Sequence, residues 1–332
     1  MLQFIRVLLF VVTIVQALPA ASPIVIAHRG ASGYLPEHTL AAVAMAHAMN
    51  ADFIEQDLVL TKDLHPIVLH DIYLDTVSDV RTKFPDRARN DGRFYAIDFT
   101  LAEIKTLRIG ERIDHRTGRP AFPNRFPTEN KPFTIPTFEE ELQIIHGLNQ
   151  TRHRTIGVYP EIKYPKWHRD QGKDISPIVL NSLARFGYTD ANAPVYLQCF
   201  EQAELMRIRN ELGCKLKIVQ LMGKDKPGEQ TYSKMLTDEG LHRVASYAQG
   251  IGPELKQVIS GRRTDGKPQI TSLVADAHRH QLLVHPYTFR VDQLPDYVDD
   301  WPTLIDWFVE AQIDGLFTDF PDRVRVIVGP SQ

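Results

Sequence analysis

The acidic residues Glu55 and Asp57 are separated by one residue within the apolar run 53–59. Because side chains alternate along a strand, both carboxylates would face the same side, where a cation most simply relieves their mutual repulsion. Glu161, near the end of another apolar run, would supply a third oxygen ligand. Three carboxylates without clustered cysteines indicate one divalent cation, Ca²⁺ or Mg²⁺, rather than structural zinc. The spacing alone leaves an equal alternative, in which the carboxylates only pair with arginine or lysine.

Two histidines, His28 and His70, each end a strand-like run and have a charged neighbour, Arg29 and Asp71 respectively. Histidine titrates near neutral pH, so its side chain suits proton transfer. Arg29 and Lys163 add fixed positive charge, and a divalent cation beside an arginine and a lysine suits a phosphate oxyanion. Together these residues predict a site that binds phosphate and transfers protons.

The candidate residues lie on apolar runs that alternate with helical patterns. The apolar runs are 24–28, 53–59, 156–162, 195–199, 216–221, 248–252, 281–285 and 313–318. The candidate helices are 37–49, 137–148, 174–186, 201–212, 269–279 and 302–311. Eight strands in this alternation predict an α/β fold, a closed (β/α)₈ TIM barrel with reactive side chains at the C-terminal ends of its strands. An open doubly wound sheet is the alternative, but Gly30 and Gly33 lack the third glycine of its phosphate loop.

Two segments depart from the alternation. The run 67–70 is extended, but only residues 61–66 separate it from the second strand, which is too short for a crossover helix. We therefore expect it to fold back, antiparallel, on an overlong second strand. Residues 71–135 are rich in arginine, proline and glycine, and they are predicted to form an insertion that caps the barrel. Its arginines are expected to form a solvated face, and a grip on anionic headgroups is the less favoured role.

The first 22 residues differ from the rest of the chain. Arg6 precedes the apolar run 7–15, and small residues follow as far as Ala21. This pattern predicts a secretory signal peptide cleaved between Ala17 and Ser22, with a mature domain over 23–332. The apolar run is shorter than the about 20 residues of a transmembrane helix, so an uncleaved anchor is the minor alternative. We expect an exported protein, periplasmic or secreted, with no stable membrane insertion after cleavage.

The composition excludes several classes of protein. Hydrophobic residues make up 43% of the 332 residues and charged residues 24%, as in a folded protein, which excludes long disorder and multi-span membrane proteins. The net charge of −3 and the lack of a basic run argue against nucleic acid as a partner. Cys199 and Cys214 would lie at opposite ends of a strand–helix–strand unit, so no disulfide is expected between them.

The run from His28 to Thr39, HRGASGYLPEHT, resembles the signature of the glycerophosphodiester phosphodiesterase family. The resemblance continues, in order, through 55–57 (EQD), 61–63 (TKD), 70–71 (HD), 160–163 (PEIK), 198–200 (QCF), 252–253 (GP), 314–315 (DG) and 318–321 (TDFP). It covers most of 24–322. It is strongest to the exported, periplasmic-type branch, in which a histidine, here His38, replaces the commoner asparagine.

The resemblance implies a (β/α)₈ barrel with an insertion after the second strand, and it implies a role for each residue introduced above. These roles are an acid–base pair (His28, His70), metal ligands (Glu55, Asp57, Glu161) and phosphate binding (Arg29, Lys163). The cofactor implied is one divalent cation, with Ca²⁺ favoured and Mg²⁺ as the alternative. The implied reaction hydrolyses small glycerophosphodiesters, such as glycerophosphocholine, to sn-glycerol 3-phosphate and an alcohol. The resemblance does not fix the oligomeric state.

Two other functions stay open from the sequence. One is a phospholipase D-like barrel enzyme that acts on intact lipid, although no basic amphipathic helix or exposed aromatic cluster for docking on a membrane is found. The other is an exported surface protein that uses the same fold for binding. Among the remaining residues, Tyr287 and Phe289 are candidates for a wall around the glycerol, with at least one expected to serve only packing. Asp319 is expected to cap the last helix.

Overall fold

The computed structural model describes residues 22–227 and 230–330. The predicted signal peptide, residues 1–22, lies outside this part of the chain except for Ser22. Within the described part, no helix has both the length and the apolar character needed to cross a membrane.

A sheet of parallel strands forms the centre of the fold. The strands are β1 (Ile24–Ala27), β2 (Phe53–Leu60), β3 (Pro66–Val68), β4 (Gly157–Ile162), β5 (Tyr196–Cys199), β6 (Lys217–Leu221), β7 (Gly250–Gly252), β8 (Ile259–Arg262), β9 (Pro268–Ile270), β10 (Leu283–Val284) and β11 (Gly315–Thr318). The sheet order is β10-β7-β6-β5-β4-β2-β1-β11. Strand β3 pairs antiparallel with β2, as predicted, and β8 and β9 form a separate hairpin.

The two ends of the sheet, β10 and β11, meet through backbone hydrogen bonds. The amide of Asp314 donates to the carbonyl of Val284 over 3.0 Å, and the amide of Phe289 donates to the carbonyl of Phe317 over 2.8 Å. The ring of eight parallel strands is therefore nearly closed. This confirms the predicted barrel and excludes the open doubly wound sheet.

Helices follow the strands along the chain. The α-helices of the described residues are α1 (Leu40–Ala48), α2 (Val80–Lys83), α3 (Leu101–Thr106), α4 (Phe138–Arg152), α5 (Pro165–Asp170), α6 (Ile175–Arg185), α7 (Gln202–Asn210), α8 (Tyr232–Met235), α9 (Asp238–Ala245), α10 (Leu255–Val258), α11 (Leu273–Arg279), α12 (Trp301–Glu310) and α13 (Pro321–Val328). Short 3₁₀ helices cover Pro85–Arg87 and Ala96–Asp98. Each predicted helix is found, but two begin later than expected.

The late starts have local causes. The prediction of a helix over 37–49 was wrong at its beginning, because Thr39 is the N-cap of α1 and its side chain accepts a hydrogen bond from the amide of Ala42. His38, just before it, has a left-handed backbone (φ +59°), which no helix continues. The prediction over 269–279 was wrong at its beginning because residues 268–270 pair with β8 instead.

The insertion has a hydrophobic core of its own, next to β2 and β3. Its buried members are Val59, Ile67, Leu69, Ile72, Leu74, Val77, Val80, Phe94, Ala96, Phe99, Ile104, Leu107, Ile109 and Ile135. Burial of apolar surface stabilises a segment by about 25 cal/mol for each Å² removed from water. The insertion is therefore a packed unit, although its sequence is only weakly periodic. Cys199 and Cys214 are both free and buried, as expected.

The turn between β1 and α1 depends on Gly30, whose φ is +79°. A Cβ atom there would lie 2.8 Å from the backbone carbon of Ala42, a distance that requires the backbone to shift. Gly92 provides a matched control, since its φ is +75° but no heavy atom lies within 4 Å of its Cβ position. We expect Gly30→Ala to lower the free energy of unfolding by about 1–3 kcal/mol more than Gly92→Ala does. Urea unfolding of both variants measures the difference, and equal losses would contradict a steric role for Gly30.

Candidate active site

A cavity of about 510 Å³ opens at the C-terminal ends of the barrel strands. Its lining includes His28, Arg29, Glu55, Asp57, His70, Glu161, Lys163, Gln198, Phe200, Lys224, Glu254, Tyr287, Arg290 and Phe317. The structure thus brings together every predicted catalytic, metal-binding, phosphate-binding and glycerol-wall residue except Phe289. No residue of 71–135 lines this cavity. The insertion lies behind the two histidines.

The carboxylates meet because of strand register. Asp57 on β2 pairs with Glu161 on β4, and Glu161 pairs in turn with Gln198 on β5. The ammonium of Lys163 lies between the two acids, with its Nζ 2.8 Å from Glu161 Oε1 and 3.3 Å from Asp57 Oδ1. Arg29 Nε lies 3.4 Å from the other oxygen of Asp57. Asp57 and Glu161 therefore do form ion pairs with Arg29 and Lys163, which was the alternative left open by the sequence. Both carboxylates also line the cavity beside Glu55, so the cavity has the negative charge that a cation site needs.

Burial and neighbouring charges shift the pKa values of these three acids in different directions. Burial, with the charge of Asp57 next, raises the pKa of Glu55 well above its usual value. Burial likewise raises the pKa of Glu161 to about 8, against the opposing effect of Lys163. Burial would also raise the pKa of Asp57, but Lys163, His70 and His38 outweigh it and hold that pKa well below its usual value. Two of the three acids therefore lack enough positive charge nearby to stay ionised at low cost.

A divalent cation fits this cluster. Single ligand atoms of His38, Glu55 and Asp57 all lie within 4.8 Å of one another. Asp57 Oδ1 is buried and accepts no hydrogen bond from the described residues. Carboxylate oxygens are the ligands that Ca²⁺ and Mg²⁺ prefer. A cation would bind this oxygen of Asp57, which has only the Lys163 ammonium 3.3 Å away, and it would lower the raised pKa values of Glu55 and Glu161. The geometric group differs from the predicted Glu55, Asp57 and Glu161, since His38 replaces Glu161, whose carboxylate contacts Lys163.

Each histidine of the cavity is held through its Nδ1 atom by a carboxylate. His28 Nδ1 lies 2.6 Å from Asp319 Oδ1, and His70 Nδ1 lies 2.8 Å from Asp71 Oδ1. Within the described chain neither Nε2 atom has a hydrogen-bond partner, so both are left to the cavity. Burial, with Arg29 next, lowers the pKa of His28 to about 4 and that of His70 to about 3. Both imidazoles are thus neutral near pH 7 and able to accept a proton.

The expectation that Asp319 caps the last helix was wrong. Helix α13 has Phe320 as its N-cap and no side-chain capping bond. Asp319 instead binds His28, and its other oxygen accepts hydrogen bonds from Arg125 (2.8 Å) and Arg290 (2.7 Å). These two arginines help to hold its pKa well below the usual value against burial, so the group stays ionised.

Arg29 is anchored by the backbone and by a second acid. Its amide donates to Glu55 Oε2 over 2.7 Å, and its guanidinium donates to Glu37 Oε2 over 2.9 Å. Glu37 also pairs with Arg112 of the insertion, through two nitrogens of that guanidinium. The prediction that the arginines of the insertion form only a solvated face was therefore wrong for Arg112 and for Arg125, whose side chain is 3% exposed.

The two candidates for a glycerol wall separate. Tyr287 lines the cavity, donates its hydroxyl to the carbonyl of Met222 over 2.7 Å, and meets the ring of Phe200 edge to face at 6.0 Å. Phe289 is fully buried and packs edge to face on Phe308 of α12, with ring centroids 4.8 Å apart. Phe289 is outside the cavity because it follows β10 on the side of the sheet that faces the helices. It is therefore a packing residue, as expected for at least one of the two, and Tyr287 is the candidate that lines the cavity.

Sequence reasoning missed five further residues that support the site. They are Glu37, His38, Arg112, Arg125 and Asp319, while Asp71 was noted only as a neighbour of His70. Glu37 and His38 could have been found from their place within the run 28–39, which follows a strand end. Nothing in the sequence pattern marks Arg112 or Arg125 among the other arginines of the insertion.

The chain is similar in sequence and in fold to known proteins. The model of the glycerophosphoryl diester phosphodiesterase family matches residues 28–323. A glycerophosphodiester phosphodiesterase of Haemophilus influenzae is 42% identical, over 90% of this chain and 88% of that protein. A solved candidate enzyme of the same kind from Silicibacter pomeroyi has 25% identity and a TM-score of 0.70, with 93% of each chain covered. An Oleispira antarctica phosphodiesterase, solved with the product sn-glycerol-3-phosphate, has 19% identity and a TM-score of 0.62, over 92% of this chain and 96% of that one.

Proposed function

Because the chain belongs to the glycerophosphoryl diester phosphodiesterase family and hydrolyses glycerophosphodiesters, we propose that the cavity does so by two-histidine acid–base catalysis with a bound divalent cation. One observation carries this proposal. Two imidazoles, each oriented through Nδ1, line the same cavity as the carboxylates, Arg29 and Lys163. Four further cavities of the described chain differ from it: none has two imidazoles together with an arginine or lysine, and the one beside Arg112 has three arginines but a single histidine, His115.

The cavity residues divide the work of binding the phosphate diester. Arg29 and Lys163 are positive groups at the cavity wall, and they orient the phosphate and stabilise the negative charge that develops on its oxygens. A divalent cation held by Glu55 and Asp57, with His38 or Glu161 beside them, would add Lewis-acid stabilisation of the same oxygens. We propose Ca²⁺ as this ion, with Mg²⁺ as the alternative.

The histidines transfer the protons of the reaction. One neutral imidazole accepts the proton of the glycerol 2-hydroxyl as its oxygen attacks phosphorus, and the bond from phosphorus to the alcohol oxygen breaks. The other imidazole, protonated in the anionic substrate complex, gives its proton to the leaving alcohol. Water then opens the cyclic phosphate to give sn-glycerol 3-phosphate. Direct attack by water on the diester is the alternative order.

A substrate analogue separates the two orders. A diester of propane-1,3-diol lacks the 2-hydroxyl and cannot form the five-membered cyclic phosphate. If the cyclic route operates, the enzyme should hydrolyse it at less than about a hundredth of the rate for glycerophosphocholine, because the hydroxyl adjacent to the ester, which attacks phosphorus, is gone. Comparable rates for the two diesters would support direct attack by water.

The preference for small diesters is tested by a coupled assay of glycerol 3-phosphate release. The purified chain should act on glycerophosphocholine with added Ca²⁺ and should leave vesicles of dioleoyl phosphatidylcholine intact. The physical reason is the cavity, whose volume of about 510 Å³ has no room for two acyl chains. Choline release from the vesicles would instead favour the phospholipase D-like function. Failure to hydrolyse either substrate would favour a surface protein that only binds.

Export to the periplasm remains a prediction from residues 1–22. A fusion of these residues to a reporter enzyme that is active only outside the cytoplasm tests it. Reporter activity, lost on replacing residues 8–12 with charged residues, is the expected result.

A further inference from the structure

The first chain of contacts into the insertion begins at His70. Asp71 holds the Nδ1 atom of His70 with one oxygen, and its other oxygen accepts a hydrogen bond of 2.5 Å from Arg112 Nη1. Thr76 donates to the same oxygen over a longer 3.2 Å, so Arg112 is the main support of this carboxylate. The remaining nitrogens of Arg112 bind Glu37. All three nitrogens of the Arg112 guanidinium thus bind two carboxylates, and each of these carboxylates contacts a residue that lines the cavity.

The second chain begins at His28 and reaches a different part of the insertion. Asp319 holds the Nδ1 atom of His28, and Arg125 Nη2 donates to the second oxygen of Asp319 over 2.8 Å. Arg125 also grips Asp292, with bonds of 2.8 and 3.1 Å, which fixes the guanidinium itself. Arg290, from the loop after β10, shares Asp319 with Arg125. The side chains of Arg125 and Asp319 are only 3% and 2% exposed, so both charges need partners: Asp319 and Asp292 for Arg125, and Arg125 and Arg290 for Asp319.

We propose that the insertion 71–135 positions both imidazoles of the active site, with Arg112 and Arg125 as the two positioning residues. This inference rests on the proposed acid–base roles of His28 and His70. An imidazole that is hydrogen-bonded at Nδ1 has its tautomer and ring orientation fixed by that bond. A carboxylate with hydrogen bonds to both oxygens cannot rotate, so it restricts the imidazole to a smaller range of orientations. The insertion acts from behind the histidines, because none of its residues lines the cavity.

The packing of the insertion supports this role. Arg112 follows Ile109, a member of the buried core that the insertion shares with β2 and β3, whereas no buried member of that core lies within 110–134, around Arg125. Arg112 itself lies close to two backbone bonds that fix its segment: the amide of Gly110 donates to Val77, and that of Ile113 donates to Thr76, over 3.0 and 2.9 Å. Backbone hydrogen bonds therefore fix the segment that carries the Arg112 guanidinium, as is required of a residue that positions another side chain.

The test uses Arg112→Gln and Arg125→Gln, assayed on glycerophosphocholine with saturating Ca²⁺. Each should lower kcat by about 10–10²-fold and change KM by less than about threefold, because the loss falls on proton transfer and not on substrate affinity. The loss should be larger for Arg112→Gln, since Arg290 still holds Asp319 in Arg125→Gln. The matched control is Arg89→Gln, which removes an arginine of the same insertion that pairs with Asp98 and contacts neither histidine chain.

A double-mutant cycle makes the test specific for the histidine. In a His70→Ala background, Arg112→Gln should cause no further loss of the residual turnover, because the group that it positions is gone. An equal loss in both backgrounds would overturn the proposal. So would wild-type kcat in both arginine variants, or a rise in KM alone, which would mean that Arg112 acts only through Glu37 and Arg29 on the phosphate.

Two further variants cover the case in which the arginine variants unfold. Asp71→Asn and Asp319→Asn keep the shape of the links and weaken their hold on Nδ1, and the same fall in kcat at unchanged Tm is expected. Unchanged kcat in both would overturn the proposal. The His70→Ala enzyme separates failure of the acid–base proposal from failure of the positioning proposal. Normal turnover in His70→Ala contradicts the acid–base function of His70. A large loss of turnover in His70→Ala, together with normal turnover in Arg112→Gln, contradicts positioning alone.

Discussion

His28→Ala and His70→Ala are each expected to lower kcat for glycerophosphocholine by about 10²–10⁴-fold, the usual contribution of one positioned acid or base. Each imidazole is oriented through Nδ1 and leaves Nε2 to the cavity, so its removal takes away a proton carrier and leaves Arg29 and Lys163 in place. The substrate should therefore still bind, with a KM near that of the wild-type enzyme.

The control for this experiment is His280→Ala. His280 also forms a histidine–aspartate pair, with its Nε2 2.9 Å from Asp238 Oδ1, but the pair lies at the surface after α11 and outside the cavity. The variant should keep wild-type turnover. Turnover within about twofold of wild type in His28→Ala or His70→Ala would remove that histidine from the proposed pair.

The second large effect is expected from the cation. Glu55→Gln removes one charged ligand while keeping its shape, and we expect kcat at fixed Ca²⁺ to fall by about 10²-fold or more, because a bound cation stabilises transition-state charge by several kcal/mol. Chelation of the wild-type enzyme by EDTA should have an effect of similar size, reversed by added Ca²⁺. Titration calorimetry with Ca²⁺ gives a readout that is independent of turnover, and it should show weakened binding by Glu55→Gln.

Glu139→Gln is the matched control for the metal experiment. Glu139 lies on α4, where its carboxylate pairs with Arg185 of α6, and it does not line the cavity. Its variant should bind Ca²⁺ and turn over substrate like the wild-type enzyme. Full activity of the wild-type protein in excess EDTA, with no metal found by elemental analysis, would contradict the metal-dependent reaction.

The sequence was sufficient for the centre of the site. Glu55 and Asp57 face the same side because strand side chains alternate, and the parallel register then places Asp57 beside Glu161. His28 and His70 could be predicted at the cavity because each follows a recognisable strand. These patterns are local in the sequence. In a parallel barrel the C-terminal ends of all strands lie at one end of the sheet, so the residues at those strand ends lie close together.

The supports of the site could not be predicted for a physical reason. His28 and Asp319 are separated by 291 positions and meet only because β1 pairs with β11 when the barrel closes. Arg112 reaches Asp71 from a segment without helical or strand periodicity, so its position depends on the packing of the whole insertion. Glu37 and His38, by contrast, could have been found from the run 28–39, and they were missed because the predicted helix over 37–49 included them, whereas the left-handed backbone of His38 places both before α1.

The ammonium of Lys163, set between Asp57 and Glu161, has a consequence for the order in which this protein matures. Its charge offsets part of the repulsion between Asp57 and Glu161, so closure of the barrel does not have to wait for a divalent ion. Small zinc domains behave in the opposite way, because their metal-binding free energy is their folding free energy. With the cation proposed above, folding of this chain would not require the ion, so turnover, and not the amount of folded protein, would follow the supply of the ion.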